Sequence, residues 1–288
     1  MKFQLKGSVA VITGAAQGIG AALALELARR GCHLALADRD AARLAHTADA
    51  ARRLGVRVSE HAIDIANAAA VAELPKSVLA EHGHASILVN NAGVALMGNV
   101  DQLQLEDFEW LFNINFWGVV RTTKAFLPVL RREPQAHLVN ISSVFGLISP
   151  AGQAPYCASK FAVRGFTDVL RHELEGTNIT VSVVHPGGIR TQIAHNSRRA
   201  ASFDEKQAKQ LADKFVQEGM TSPEQAAQRI VKGIEQREPR ILIGPDARLM
   251  DWLSRLMPIA YWPVIRKLME AKGLDTRPVA TVNEERLS

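Results

Sequence analysis

Cysteine is almost missing from this chain: Cys32 and Cys157 are the only two in 288 residues. They form no Cys-x-x-Cys pair and no disulfide framework. That excludes a small disulfide-stapled fold and fits a reducing cytoplasm. The nine histidines are scattered. Their closest set, His82-Gly83-His84, has no carboxylate–cysteine set near it and reads as a surface turn, so no metal is expected. Long apolar runs are missing too. None reaches the roughly 20 residues needed to span a bilayer, and residues 1–7 carry no apolar signal core. Charge of one sign is scarce: the net charge is +5, and its densest basic cluster, Arg198-Arg199, is too short for a nucleic-acid tract. Aromatic residues make up only 6%.

What remains is an alanine-rich chain, 47% apolar, long enough for one large α/β domain with an extension. Short β-rich runs at 8–12, 33–37, 56–63, 86–90, 136–141, 179–184 and 240–243 alternate with helical segments at 18–30, 41–54, 67–82, 106–132 and 155–176. Such alternation predicts about seven parallel strands with helices on both faces, a doubly wound αβα sandwich. Several strands are nearly continuous apolar runs, as expected when both sheet faces are covered. The boundaries predict a single catalytic domain over 1–245 and an extension over 246–288. Within the domain, 192–219 is a polar, charged insertion with helical spacing around Phe203, Ala208, Leu211 and Phe215. It follows the carboxyl end of a strand, where ligands bind in such sheets, and is expected to form a substrate lid.

Thr13-Gly14-Ala15-Ala16-Gln17-Gly18-Ile19-Gly20 follows the first strand and opens the first helix. Glycines there let the backbone turn tightly and approach a pyrophosphate, which the helix N-terminus favours. Asp38 ends the second strand, where an acidic residue accepts ribose hydroxyls and repels a 2′-phosphate, favouring NAD over NADP. Arg39 beside it is the opposing signal. Tyr156 and Lys160 stand four residues apart, on one face of a helix. An ammonium beside a phenol favours the phenolate, so the tyrosine is expected to titrate nearer neutrality and exchange a proton.

With these features the chain resembles the ordinary branch of the short-chain dehydrogenase/reductase family, over roughly residues 6–243. The glycine turn has that branch's spacing, Thr-Gly-x-x-x-Gly-x-Gly. Asn90-Asn91-Ala92-Gly93 follows the fourth strand, Ser143 precedes Tyr156, and Pro186-Gly187-Gly188-Ile189-Arg190-Thr191 matches the family's Pro-Gly motif. The resemblance implies a Rossmann-type fold and hydride exchange between a nicotinamide cofactor, NAD or else NADP, and an alcohol or carbonyl. It implies four catalytic positions: Tyr156 as general acid/base, Lys160 tuning it and holding the nicotinamide ribose, Ser143 binding the substrate oxygen, and Asn115 holding a relay water. Cofactor contacts would come from Gly14, Ala16, Gln17, Gly18, Ile19 and Gly20, from Asp38 and Arg39, and from Asp64-Ile65 at the adenine. Asn91, Ala92, Gly93, Pro186, Gly187, Ile189 and Thr191 would complete them. Gln17 is neutral where NADP-preferring members often carry a cation.

The substrate is less legible. Val94, Leu96, Val144, Phe145, Gln153, Gly187 and Gly188 follow the motifs and, with Ser143, are expected to line its site. They are mainly apolar, which favours an aromatic, lipid-like or steroid-like secondary alcohol or ketone. The alternatives are an NADPH-dependent carbonyl or 3-oxoacyl-thioester reductase and a non-catalytic nucleotide sensor. Residues 246–272 carry apolar side chains at helical spacing, interrupted by Pro258 and Pro263. They are expected to cover the substrate mouth or a partner subunit, to lie on a membrane surface, or to pad the core. The tail from about 275 is expected to be disordered. By family resemblance the chain would form a homodimer or homotetramer.

Overall fold

In the computed structural model, which describes residues 2–200, 209, 213, 217 and 219–271, the apolar runs become strands and the alanine-rich segments become helices. In chain order they are β1 (Val9–Thr13), α1 (Gly18–Arg29), β2 (His33–Asp38), α2 (Ala41–Arg52), β3 (Val58–Ala62), α3 (Ala68–His82), β4 (Ile87–Asn90) and β5 (Leu96–Met97). Then come α4 (Leu105–Asn115), α5 (Trp117–Leu130), β6 (Ala136–Ile141), a 3-10 turn (Val144–Gly146), α6 (Ala154–Glu173), β7 (Ile179–Pro186) and β8 (Arg198–Arg199). The chain continues through α7 (Pro223–Gln236), β9 (Arg240–Ile243), α8 (Pro245–Leu256) and α9 (Tyr261–Ala271).

Seven strands form one parallel sheet in the order β3-β2-β1-β4-β6-β7-β9. Side chains alternate across a strand, and the sheet's two faces sort accordingly. Ala10, Ile12, Leu34 and Leu36 pack with Leu23, Leu27, Leu44 and Ile230 of α1, α2 and α7. Val9, Val11, Ala35 and Ala37 pack on the other face with Leu74, Val78, Phe126 and Leu170 of α3, α5 and α6. This is the Rossmann-type αβα sandwich. The order reverses at β1, between β2 and β4, so the glycine turn after β1 opens at the topological switch point.

Three features differ from the sequence expectation. The single helix expected over 106–132 is two, α4 and α5, broken at Phe116 (φ −112°, ψ −58°). The break coincides with Asn115 turning inward to bind the backbone of Val94. A second, two-stranded parallel sheet, β5 with β8, ties the start of the 192–219 insertion to residues 96–97. Finally, His82 is buried rather than on a surface turn, hydrogen-bonded to the Ser59 hydroxyl (2.9 Å). Most of the insertion, including Phe203, Ala208, Leu211 and Phe215, lies outside the described residues, as does the tail from 272.

Candidate active site

The glycine turn is held shut by side chains from the next strand crossing. Thr13 Oγ1 accepts from the backbone N–H groups of Asn91 (3.0 Å) and Ala92 (3.1 Å), and Asn91 Nδ2 donates to the carbonyls of Thr13 and Gly14 (both 3.0 Å). Gly14 has φ +66°, and a Cβ there would lie 2.7 Å from Ala92 Cα. A Cβ on Gly20 would lie 2.0 Å from the Gly14 carbonyl oxygen, so the turn and the first helical turn can close only on glycine. Gln17 occupies the N-cap of α1 without a side-chain hydrogen bond to the helix backbone, and no acidic residue sits in its first turn. Helices α2, α3 and α7 are each capped by a side chain. The uncapped N-terminus of α1 leaves N–H donors and the positive end of the helix dipole for an anion, which fits a pyrophosphate.

The carboxylate of Asp38 is aimed back at this turn: Oδ2 accepts from Ala16 N and Oδ1 from Asp40 N, both at 3.0 Å. Each oxygen keeps acceptor capacity, which fits a ribose diol. Arg39 is exposed. A second cation, Arg43, was not foreseen; it donates to Gln17 Oε1 (3.0 Å) and pairs with Asp40. Its only sequence signal was its place in the first turn after Asp38. Asp64 is exposed and accepts from Ala66 N, whereas the Ile65 side chain is buried under α5, where a Cβ on Gly118 would lie 2.5 Å from Ile65 Cδ1. Ile65 therefore has only its backbone to offer an adenine.

Tyr156 and Lys160 lie one turn apart on α6. Lys160 Nζ is buried 5.6 Å from the Tyr156 ring centroid and donates to the Ile141 carbonyl (3.1 Å). Both groups are moved by desolvation. Burial pushes the Tyr156 phenol up to about 12, with the Ser143 hydroxyl pulling it part of the way back, and pushes Lys160 down to about 8. The expected drop of the tyrosine toward neutrality therefore does not occur in the protein alone, because burial outweighs the hydrogen bond from Ser143. Ser143 lies two residues beyond β6, caps the 3-10 turn by accepting from Phe145 N (3.1 Å), and stands beside the phenol. Its carbonyl lies 2.9 Å from Nδ1 of buried His185. A carbonyl only accepts, so Nδ1 carries the proton, and burial holds His185 neutral, its value lowered to about 4.

Asn115 is fully buried and its amide is committed to the protein: Oδ1 accepts from Val94 N (2.8 Å), and Nδ2 donates to Val94 O (2.9 Å) and Ser159 Oγ (3.2 Å). Gly93 bridges the cluster, since a Cβ on it would stand 3.3 Å from Asn115 Oδ1 and 3.5 Å from Lys160 Nζ. On the opposite side, Ile189 pairs with Thr221, and Gly18 faces the Thr191 methyl (3.3 Å from a Cβ built on Gly18). Thr191, at the end of the 186–191 motif, thus meets the glycine turn, whereas Gly187 and Gly188 lie against Asp246.

The residues expected around the substrate divide. Phe145 meets Tyr156 edge-on (6.1 Å), Val144 sits on the 3-10 turn, and Val94 packs near Tyr156. Gln153 precedes α6 and is part-exposed. Leu96 is different: it is fully buried against Leu103, Leu111 and Ala200, because β5 turns it beneath the β5–β8 ribbon. Arg198 stacks on the Trp110 ring at 3.7 Å. The extension packs on the 3-10 turn: Ala247, Leu253 and Ile265 join Val144 and Ile148, with Met250, Met257, Tyr261 and Trp262 around Phe145, and the Tyr261 hydroxyl accepts from Ser149 N (3.1 Å). Cys157 is buried beside Tyr156, its thiol pushed up to about 12, and is inert at neutral pH. Among the described residues no cluster could hold a metal, and no helix is long and apolar enough to cross a membrane.

A family model described as short chain dehydrogenase matches residues 8–202. The proposed oxidoreductase SadH of Mycobacterium tuberculosis is 43% identical over 258 residues, covering 89% of this chain and 93% of SadH. A Burkholderia phymatum short-chain dehydrogenase/reductase, solved in complex with NAD, superposes with a TM-score of 0.81 at 30% identity, covering 97% of this chain and all of that one. A Burkholderia cenocepacia short chain dehydrogenase in complex with NADP superposes with a TM-score of 0.74 at 29% identity, over 85% of this chain and all of that one.

Proposed function

Because this chain belongs to the short-chain dehydrogenase/reductase family of oxidoreductases, we propose that it interconverts an apolar secondary alcohol and its ketone with NAD as cofactor. The observation that carries the reading is the convergence of Ser143, Tyr156 and Lys160 at the carboxyl ends of the central strands, facing an uncapped helix N-terminus across the cleft. A bound nicotinamide would supply the hydride acceptor or donor. Tyr156 gives its proton to the substrate oxygen in reduction and takes it back in oxidation. Ser143 donates to the same oxygen, where negative charge grows. Lys160 would hold the nicotinamide ribose through Nζ, which lies beside Gly93. Asn115 fixes Val94 and α6 through its three bonds, and its Oδ1 keeps one acceptor position for the relay water.

The alkaline Tyr156 of the protein alone belongs to this reading. The positive ring of the oxidised cofactor, added beside an already cationic Lys160, is what would bring the phenol into range. An apolar substrate suits walls built from Val94, Val144, Phe145 and the extension's methionines and aromatics. Asp38, bonded to the glycine turn, would set a carboxylate beside a 2′-phosphate, so NAD is preferred. One observation favours NADP instead: Arg39 and Arg43 stand near that carboxylate, the latter held by Gln17.

A panel of secondary alcohols and ketones, each assayed with NAD(H) and NADP(H) by nicotinamide absorbance, tests the reading. Tyr156→Phe is expected to lower turnover at least about a hundredfold with cofactor affinity retained. Near-normal turnover in that variant would refute it. We further propose that the chain forms homo-oligomers through the outer faces of α5 and α6, where Trp117, Phe161 and Val169 are exposed.

A further inference from the structure

Asp246 is the second residue of α8, in the extension and outside the stretch matched by the family model. Its side chain does not turn to its own helix. Oδ2 accepts from Gly188 N at 2.6 Å, across the strand pair β7–β9. The carboxylate lies flat against two glycines. A Cβ on Gly187 would stand 2.2 Å from both of its oxygens, and a Cβ on Gly244 would stand 2.3 Å from Oδ1. Gly244 has φ +92°, which only glycine adopts without strain, and that turn delivers Asp246 to the loop. The other oxygen, Oδ1, is buried with no hydrogen-bond partner. A buried carboxylate oxygen left unpaired is costly, and it calls for a reason beyond local hydrogen bonding.

We infer that Asp246 is a positioning residue through which the C-terminal extension fixes the Pro186-Gly187-Gly188 loop, and with it the nicotinamide half of the cofactor site. This rests on reading that loop as the nicotinamide wall. With the Gly188 peptide pinned, the carbonyl of Gly188 and the backbone of Ile189 and Arg190 meet Thr221, and Thr191 is presented toward Gly18. Without the pin, the loop keeps the Gly187 N to Ile243 O bond but loses the next one along. The adenosine half of the site, formed by the turn after β1 and by Asp38, makes no contact with Asp246 and is left alone.

Two ligands separate the halves: NADH, and ADP-ribose, which is the same molecule without its nicotinamide. Each is titrated calorimetrically into the full chain and into Asp246→Ala, Asp246→Asn and Asp246→Glu. Asp246→Ala is expected to weaken NADH about tenfold or more, the scale of one lost hydrogen bond to a buried N–H, with ADP-ribose unchanged. Asp246→Asn, which keeps an acceptor for Gly188 N, is expected to restore NADH binding. Should the alanine variant not fold, Asp246→Glu carries the test: its longer acid cannot seat between Gly187 and Gly244, so the same selective loss is expected. Equal weakening of both ligands, no change in either, or an asparagine variant as weak as alanine would overturn the inference. A wild-type chain that binds neither ligand would instead remove the dinucleotide reading beneath it.

Discussion

Burial acts on Tyr156 and Lys160 in opposite directions, because one is neutral and the other charged in its ordinary state at neutral pH. The consequence for stability has a definite sign. Lys160 falls from 10.5 to about 8 on folding. Below pH 8 the folded protein carries the full cost of a desolvated ammonium. Between about pH 8 and 10.5 the unfolded chain holds a proton that the folded chain has released, so this group makes stability rise with pH. Lys160→Met removes that slope. Its stability relative to the wild type, followed by urea unfolding, is expected to be highest near neutrality and to drop by up to about 3 kcal/mol as pH rises through this window. At this scale the motifs were readable because glycine, proline and the Tyr–Lys spacing are local signals. Asp246 and Arg43 were not, since each acts on a loop far away in sequence, and nothing near either residue marks the glycines or glutamine it meets. The direction of the Tyr156 shift was also hidden, because it depends on how completely the folded chain excludes water.

Among the elements, the strands and their alternation follow from composition, and the seven-strand parallel sheet was legible for that reason. The break between α4 and α5 was not. The apolar spacing runs through Phe116 without a glycine or proline to mark it, and the interruption comes from tertiary bonds of Asn115. The same holds for the polar net that joins helices to the sheet. Asn90 Nδ2 donates to Thr123 Oγ1 (3.0 Å) and Asn140 Oδ1 (2.8 Å), and its Oδ1 accepts from Thr122 Oγ1 (2.6 Å). Asn140 Nδ2 reaches Thr167 Oγ1 on α6 (2.9 Å). All five side chains are buried. Asn90→Leu keeps the branched outline but not the hydrogen-bonding groups, and strands these partners in the core. It is expected to cost about 2–4 kcal/mol in urea unfolding, whereas an exposed loop asparagine would cost little.

At the scale of the whole molecule, Phe161 and Val169 lie two turns apart on α6, with Gly165 between them facing open space and Trp117 exposed on α5. A flat apolar strip of this kind is suited to a second copy meeting it in antiparallel fashion. Light scattering is expected to give a dimer or larger species for the wild type and a smaller one for the Trp117→Glu, Val169→Glu double variant; a monomeric wild type would remove the proposal. The extension shows how far sequence could reach here. Its helical spacing was readable, but which of several surfaces it covers was decided by contacts such as that of Ser149 with Tyr261, residues more than a hundred positions apart.

The ribbon of Leu96–Met97 with Arg198–Arg199 is a separate sheet from the seven-strand one. Among the described residues the two share no hydrogen-bond ladder, and they meet through side chains, the Leu96 cluster packing against Val94 and Tyr156. Descendants of this chain could therefore vary the ribbon without redrawing the backbone ladder of the seven-strand sheet.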